Sequence, residues 1–479
     1  MSIGNGSRHI PPLPFLPLRR HVRLFRSKAV VLFLSSVVYL FTCVARAGLW
    51  CTGYYPGYEQ SSMPASNIDF TALTHVIHFS VIPNSDGTLN SSDNSLTFGN
   101  STDVVMRAHA AGKSALICVG GASTESDFQP ATSTATLPTF VSSLTNFMAV
   151  RGYDGVDIDW EPLTAADAPL FTNLVYSLRS ALNKFSPHKL LTVAAGAYPN
   201  YGDPPTSEYT MYAALQNEFD QINIMTYDLS GPYEGWVTWF NSPIYDGGYR
   251  FPSTGGLVPS INGAVTNFIG NGVSPARLGI GIPFYGYVWA GGTGTPTGGV
   301  TQPRQAWTDA PTMNGVNYTP LIASYYQSGW YHWDTNAQAA YLSITNANPS
   351  DDMFISYDDQ RACQSKVSYA RNLGLGGVMI WELSLDYQSK QSQPLLSALK
   401  QALATPGPIT ILNIGQDIEL NFTSLPLGAY RVEWSSNLTI SAWNTLAITN
   451  ISGAGGTLQI FDSDVSSQPW RSYRVKTPP

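Results

Sequence analysis

From residue 48 onward, short apolar runs alternate with segments whose apolar residues recur at helical spacing. The runs at 50–55, 74–82, 114–119, 155–161, 190–197, 221–228, 278–287 and 377–383 read as buried strands. Between them, 102–111, 139–150, 166–185 and 361–373 read as helices. Strand-like runs alternating with helical segments predict an α/β chain with a parallel sheet, and eight strands suit a closed (β/α)8 TIM barrel. An open doubly wound sheet is the structural alternative, but the chain has no phosphate-binding glycine fingerprint.

Three stretches break the alternation. Residues 289–352 are too long for a plain loop between the last two strands, which predicts a small α+β insertion walling one side of a cleft. Its first part is rich in Gly, Thr and Pro, and it later carries Trp330 and Trp333. After 48–403, a Pro-rich linker at 404–408 leads into 409–479, where the period drops to two (Ile418, Leu420, Phe422; Tyr430, Val432, Trp434). That segment reads as a small all-β, sandwich-like module. Trp434, Trp443 and Trp470 could bind sugar there, but they fall on the alternating positions themselves, which favours core packing.

Residues 1–47 are a targeting segment. Arg19, Arg20, Arg23, Arg26 and Lys28 precede an apolar run at 29–41, and Ala45-Arg46-Ala47 is a small-x-small cleavage site. The run is short for a membrane span, so the expectation is a signal peptide and a secreted protein, extracellular or periplasmic, off the membrane once processed. Lipidation at Cys43 is a weaker alternative. Removal of the signal leaves Cys51, Cys118 and Cys363, which is no disulfide framework and allows one bridge at most. A net charge of −7 with 12% charged residues gives no electrostatic footprint for nucleic acid.

The chemistry concentrates at 152–162, Gly-Tyr-Asp-Gly-Val-Asp-Ile-Asp-Trp-Glu-Pro. On a strand, Asp157, Asp159 and Glu161 share one face, and Val156, Ile158 and Trp160 share the other. Neighbouring acids then stand ~6.6 Å apart. At an effective dielectric near 20, two charges at that spacing repel by roughly 2.5 kcal/mol. The column therefore holds at least one proton and titrates as a coupled set, with Glu161 at the carboxyl end as the candidate general acid. The bland reading, a solvated strand end or a cation site, fits poorly with Trp160 and with a rigid strand.

Asp154-Gly-x-Asp157-x-Asp159-x-Glu161 resembles the signature of glycoside hydrolase family 18, the chitinases and their relatives. The resemblance covers about 48–403. Asn223-Ile-Met225-Thr-Tyr227-Asp228 is similar to that family's strand-six motif, Gly377-Val-Met-Ile-Trp381 to its last strand, and Gly281-Ile-Pro-Phe-Tyr285-Gly286 to its strand seven. The resemblance implies catalytic roles for Glu161, Asp159, Asp157, Tyr227 and Asp228. It implies substrate contacts from Tyr54, Phe79, Gly120, Gly121, Trp160, Met225, Tyr285 and Trp381.

It also implies a retaining, substrate-assisted cleavage of β-1,4-linked N-acetylglucosamine polymers by a monomer with no cofactor and no metal. Asp159 lies on the same strand as Glu161 and is poorly placed as a nucleophile on the opposite face of a sugar. The sugar's own 2-acetamido oxygen takes that role in this family. Asp157 is expected to share a proton with Asp159. Two positions depart from the family pattern: Cys118 stands where Ser is common, and Tyr287 where many relatives carry Arg. An endo-β-N-acetylglucosaminidase acting on N-glycan or wall glycan, and a non-hydrolysing chitin-binding lectin on the same fold, stay open as alternatives.

Overall fold

The computed structural model describes residues 48–198, 207–389 and 392–404, and, beyond these, 410–414, 417–424, 429–436, 443–450, 456–463 and 471–476. The expected signal peptide, almost all of the linker and Trp470 lie outside the described residues.

Eight parallel strands form the centre: β1 (Trp50–Pro56), β2 (His75–Pro83), β3 (Ser114–Gly121), β4 (Gly155–Trp160), β5 (Leu190–Gly196), β6 (Gln221–Met225), β7 (Leu278–Pro283) and β8 (Gly377–Trp381). Each pairs with the next, and β1 pairs with both β2 and β8 (Trp50 with Gly377, Thr52 with His75), so the sheet closes into a barrel. Closure leaves no barrel edge to protect. It also buries both faces of every strand, which is why the strands appear in the sequence as continuous apolar runs rather than alternating ones.

Trp50 plugs the amino-terminal end. A Cβ on Gly376 or Gly377 would come within 2.0 and 2.3 Å of its ring, so the indole fits only against bare backbone there. Its Nε1 donates to Asn223 (3.1 Å), and Thr52 donates to Gln221 (2.7 Å), which closes the floor with a satisfied polar layer. Helices pack around the outside. Phe98–Ala110 begins before its apolar periodicity does because the Thr97 hydroxyl caps it, accepting from the Asn100 N–H at 3.1 Å. Leu137–Arg151 and Gln360–Leu373 end on Gly152 and Gly374 in the left-handed conformation that terminates helices.

The apolar run predicted as one strand at 278–287 is two. The barrel strand stops at Pro283, and Tyr285–Ala290 starts a separate five-stranded antiparallel sheet, with Thr312–Asn317, Tyr331–Asp334, Ala339–Ile344 and Met353–Tyr357. Phe284 ties the two together, its N–H donating to the Trp381 carbonyl at 2.8 Å. The helix Tyr318–Tyr325 completes this α+β unit.

Residues from 410 onward form two three-stranded antiparallel sheets around Leu420, Phe422, Tyr430 and Val432. The Arg471 and Arg474 guanidinium groups lie 3.9 Å over the rings of Trp434 and Trp443. Each covers a ring face that a sugar would otherwise stack on. The three cysteines expected to remain after processing are buried and free.

Candidate active site

Strand β4 fixes the site. All six of its residues are buried, yet its two faces differ. Outward, Trp160 stacks on Phe128 (centroids 4.5 Å apart, 8° between planes) and meets Phe171 edge-on, which clamps the strand against the helices. Inward, Asp157 and Asp159 point into the barrel, and Glu161 follows just past the strand's end. The Glu161 carbonyl accepts the N–H groups of Thr124 (2.8 Å) and Glu125 (3.2 Å), which holds the backbone beneath the acid.

The three carboxyls have different surroundings. Asp157, the deepest, accepts from the Tyr54 hydroxyl (2.7 Å) and the Thr192 hydroxyl (2.6 Å), with the Cys118 thiol also on it. Burial pushes it up to about 6 in spite of these donors. Asp159 is in hydrogen-bond contact with Glu161, and its Oδ1 finds no donor among the described residues. Burial, then the charges of Glu161 and Asp157, hold it well above the usual carboxylate range. Glu161 is raised by burial and by the charge of Asp228, against a lowering by Asp159. The sequence reading places a shared proton between Asp157 and Asp159. In the structure the hydrogen-bonded pair is Asp159 with Glu161, because Asp157 is already occupied by hydroxyl donors.

The chain just past the end of strand β6 contributes the next groups. Tyr227 is half-buried, and among the described residues its hydroxyl has only the Met379 sulfur at 3.9 Å as a weak acceptor. Burial raises its pKa, so it remains a phenol and a donor. Asp228 sits at φ 57°, a left-handed conformation that aspartate tolerates better than most residues. Its N–H donates to Asn241 Oδ1 (2.7 Å), and its Oδ1 accepts from both Tyr285 (2.5 Å) and Tyr287 (2.8 Å).

Opposite lies the half-buried ring of Trp381 at the end of β8, supported by Tyr54 (5.5 Å, 55°) and by Phe79 edge-on (4.9 Å, 84°). Gly120 and Gly121 have φ of 106° and 124°. A Cβ on them would meet the Asp159 carbonyl at 2.1 Å and the Phe79 ring at 2.6 Å, so bare backbone is required on both. Beside Glu161 opens a cavity of about 240 Å³ whose wall includes Ser123, Trp160, Met225, Tyr198, Glu208 and Tyr212.

Three expected sugar contacts take other places. Tyr54 is fully buried with its hydroxyl on Asp157, so it supports the platform from below. Phe79 likewise braces Trp381 and is nearly covered. Trp160 belongs to the layer between strand and helices and meets the cavity only as wall. Three partners escaped the sequence reading. Thr192 pairs in register with Asp157, a signal available once β4 and β5 are taken as neighbours. Asn241 carries no motif. Tyr287 is visible in the sequence only as a departure from the family pattern. Among the described residues no group of three or more His, Cys, Asp or Glu side chains could hold a metal ion.

The chain matches the sequence profile of glycosyl hydrolases family 18 over residues 51–386. It is similar to Chitinase A1 of Niallia circulans, with 30% identity over 358 residues, 69% of this chain and 47% of that protein. It is similar also to Chitinase 1 of Aphanocladium album, with 29% identity over 407 residues, 79% of this chain and 86% of that protein. It thus spans about half the length of the first of these relatives. The solved Group IV chitinase of Ostrinia furnacalis shares the fold, with a TM-score of 0.63 at 21% identity, covering 74% of this chain and 100% of that one. With the acid column, the strand-six tyrosine and the strand-eight tryptophan converging at one barrel mouth, the chain belongs to family 18 of the glycosyl hydrolases.

Proposed function

We propose that this protein hydrolyses β-1,4-linked N-acetylglucosamine polymers, chitin and its oligomers, with retention and with the substrate's acetamide as nucleophile. The observation that carries the reading is the pairing of the Asp159 and Glu161 carboxyls, with Tyr227 near enough to feel the charge of both. Both acids rise from one strand and approach a bound ring from one side. A displacement by an enzyme carboxylate needs its two carboxyls on opposite faces of the sugar, about 5–5.5 Å apart. Asp228 is held by two tyrosines.

In this mechanism Trp381 supports the ring. The proton of the acid pair moves with Glu161 to the glycosidic oxygen as the bond to the anomeric carbon breaks. The acetamido oxygen closes on that carbon and forms a cyclic oxazolinium. Asp159, left anionic, accepts the acetamido N–H and stabilises the positive charge, while Tyr227 donates to the acetamido oxygen. Glu161 then takes a proton from water as the water opens the ring. The basic and apolar amino-terminal segment supports action outside the cell.

The test is to incubate the purified protein with N-acetylglucosamine oligomers and with a high-mannose glycopeptide, then weigh the products. Oligomer cleavage is expected. Cleavage of the glycopeptide alone would make the protein an endo-N-acetylglucosaminidase, and binding without turnover would make it a lectin. Glu161→Gln should lower kcat by roughly a hundred- to ten-thousandfold. Wild-type turnover by that variant would remove the proposed acid.

A further inference from the structure

Residues 162–167 alone separate Glu161 from the helix Ala168–Leu182, so that helix starts at the barrel mouth and runs down the outside. Phe171, Leu174, Leu178 and Leu182 bury its inner face. Pro169, Asn173, Tyr176 and Ser180 follow one another at helical spacing along the opposite stripe, and all four are exposed. A surface helix ordinarily carries charge on such a stripe. This one carries none, because the sole charged residue of the helix, Arg179, is buried and pairs with Asp220 at 3.1 Å.

Between this stripe and the helix Ser207–Leu215 lies a groove of about 570 Å³, with Met211 and Ala214 in its far wall. No Asp, Glu, Lys, Arg or His is among the described residues that line it. Tyr176 is 49% exposed there, and among the described residues its ring meets no other ring and its hydroxyl has no partner. The side-chain amide of Asn173, one turn earlier, is free in the same way. A charged polymer finds no counter-charge in such a wall. What fits is a neutral chain with flat C–H faces for the phenol ring and hydrogen-bonding groups along its edges for the amide. A β-1,4-linked N-acetylglucosamine chain has that character, since each ring offers an apolar face rimmed by hydroxyls and an uncharged acetamide. From Ala168 to Tyr176 the helix spans ~12 Å, which gives room to a stretch of chain rather than to one ring.

We propose that this groove is a second binding site for the polymer, outside the cleft, in which Tyr176 stacks on a sugar ring and Asn173 holds its edge. The proposal rests on the reading of the substrate above. No bond is made or broken in the groove. It keeps one stretch of a solid substrate against the outer wall of the barrel while another is cut at the mouth, so it acts on insoluble chitin and is idle on short oligomers that fill the cleft alone.

The experiment uses the full chain and two readouts. Adsorption isotherms on insoluble chitin are measured in a Glu161→Gln background, where turnover does not erode the solid. There Tyr176→Ala should weaken adsorption by about fivefold, the loss expected when a tyrosine anchor is truncated. Tyr176→Phe keeps the ring and should retain most of the adsorption, and Ala214→Lys, which puts bulk and charge into the groove, should weaken it again. With Glu161 intact, Tyr176→Ala should slow the release of sugar from insoluble chitin and leave kcat/KM on a short soluble N-acetylglucosamine oligomer unchanged.

Isotherms that coincide for the parent, Tyr176→Ala and Ala214→Lys would overturn the assignment while chitin cleavage stands. So would an equal loss on oligomer and solid, which would mark Tyr176 as a structural residue. A dimer in light scattering that Tyr176→Ala turns into monomers would give the groove to a second copy of the chain instead. Failure of the wild-type protein to cleave the soluble oligomers would bring down the functional reading itself, and this inference with it.

Discussion

The phenol of Tyr287 donates a 2.8 Å hydrogen bond to Oδ1 of Asp228, the same oxygen that Tyr285 reaches at 2.5 Å. The clamp holds the carboxylate through two neutral donors, so its orientation is fixed while its charge is left in place. A hydrogen bond to a charged group contributes about 1.5–3 kcal/mol. Tyr287→Phe should therefore lower kcat/KM by about tenfold, and removal of both phenols should cost more than either alone. Steady-state kinetics on an N-acetylglucosamine oligomer checks this. A Tyr287→Phe variant with unchanged kcat/KM would mean that Tyr285 alone suffices.

The uncancelled charge has a consequence for pH. Asp228 is the largest electrostatic cause, after burial, of the raised Glu161. Glu161 works protonated, so activity falls as pH rises through its pKa. Neutralising Asp228 lowers that pKa, and the alkaline limb of kcat/KM should move to lower pH in Asp228→Asn. Tyr287→Arg should move it in the same direction, because a cation beside Asp228 offsets its field. The pH profiles of the two variants decide the matter, and a limb displaced upward in either would contradict the assignment.

The barrel was legible in the sequence because its strands are buried on both faces, and eight apolar runs mark them without needing any long-range information. The acid column was legible because alternation alone puts Asp157, Asp159 and Glu161 on one face. The partner of each acid was not. Thr192 reaches Asp157 from 35 positions away, and a threonine in an apolar strand carries no mark of its partner. Similarly, nothing in the sequence tells that hydroxyls occupy Asp157 and leave Asp159 to pair upward with Glu161. The overrun of the seventh strand has a local cause. Phe284, Tyr285 and Tyr287 continue the apolar run, although the chain passes there from the barrel into the inserted sheet.

The arrangement at Asp157 gives a prediction of its own. Its two hydroxyl donors, from Tyr54 and Thr192, favour the ionised form against burial. Thr192→Val removes one of them with little change in volume, so the pKa of Asp157, pushed up to about 6 by burial, should rise further. A more fully protonated Asp157 imposes less charge on Asp159, whose own pKa it helps to raise. The variant should fold normally and show an altered pH profile, read from kcat against pH. A profile superimposable on wild type would show that Asp157 is electrostatically silent.

A buried ion pair behind the site bears on stability. Lys366 is fully buried in the helix Gln360–Leu373, and its Nζ pairs with Asp358 and donates to the Ser242 hydroxyl at 2.6 Å. That hydroxyl in turn donates to the Thr226 carbonyl at 2.5 Å, next to Tyr227 and Asp228. Burial holds Asp358 up, to about 6, even with the ammonium beside it. Lys366→Met leaves a buried carboxyl without its cation, a change that typically costs about 3–5 kcal/mol. The lost lysine was lowering the Asp358 pKa, which must therefore rise further in the variant. A carboxyl whose folded pKa exceeds its unfolded value of about 3.9 stabilises the fold at low pH and loses that contribution as pH rises through the folded value. The variant's deficit relative to wild type should thus be smaller near pH 5 than near pH 8. Replacing both partners by apolar residues, Lys366→Met with Asp358→Leu, should recover much of the loss, because no unpaired charge is then buried. Denaturant unfolding at the two pH values measures all of this. An equal deficit at both would show that the pair contributes through packing alone.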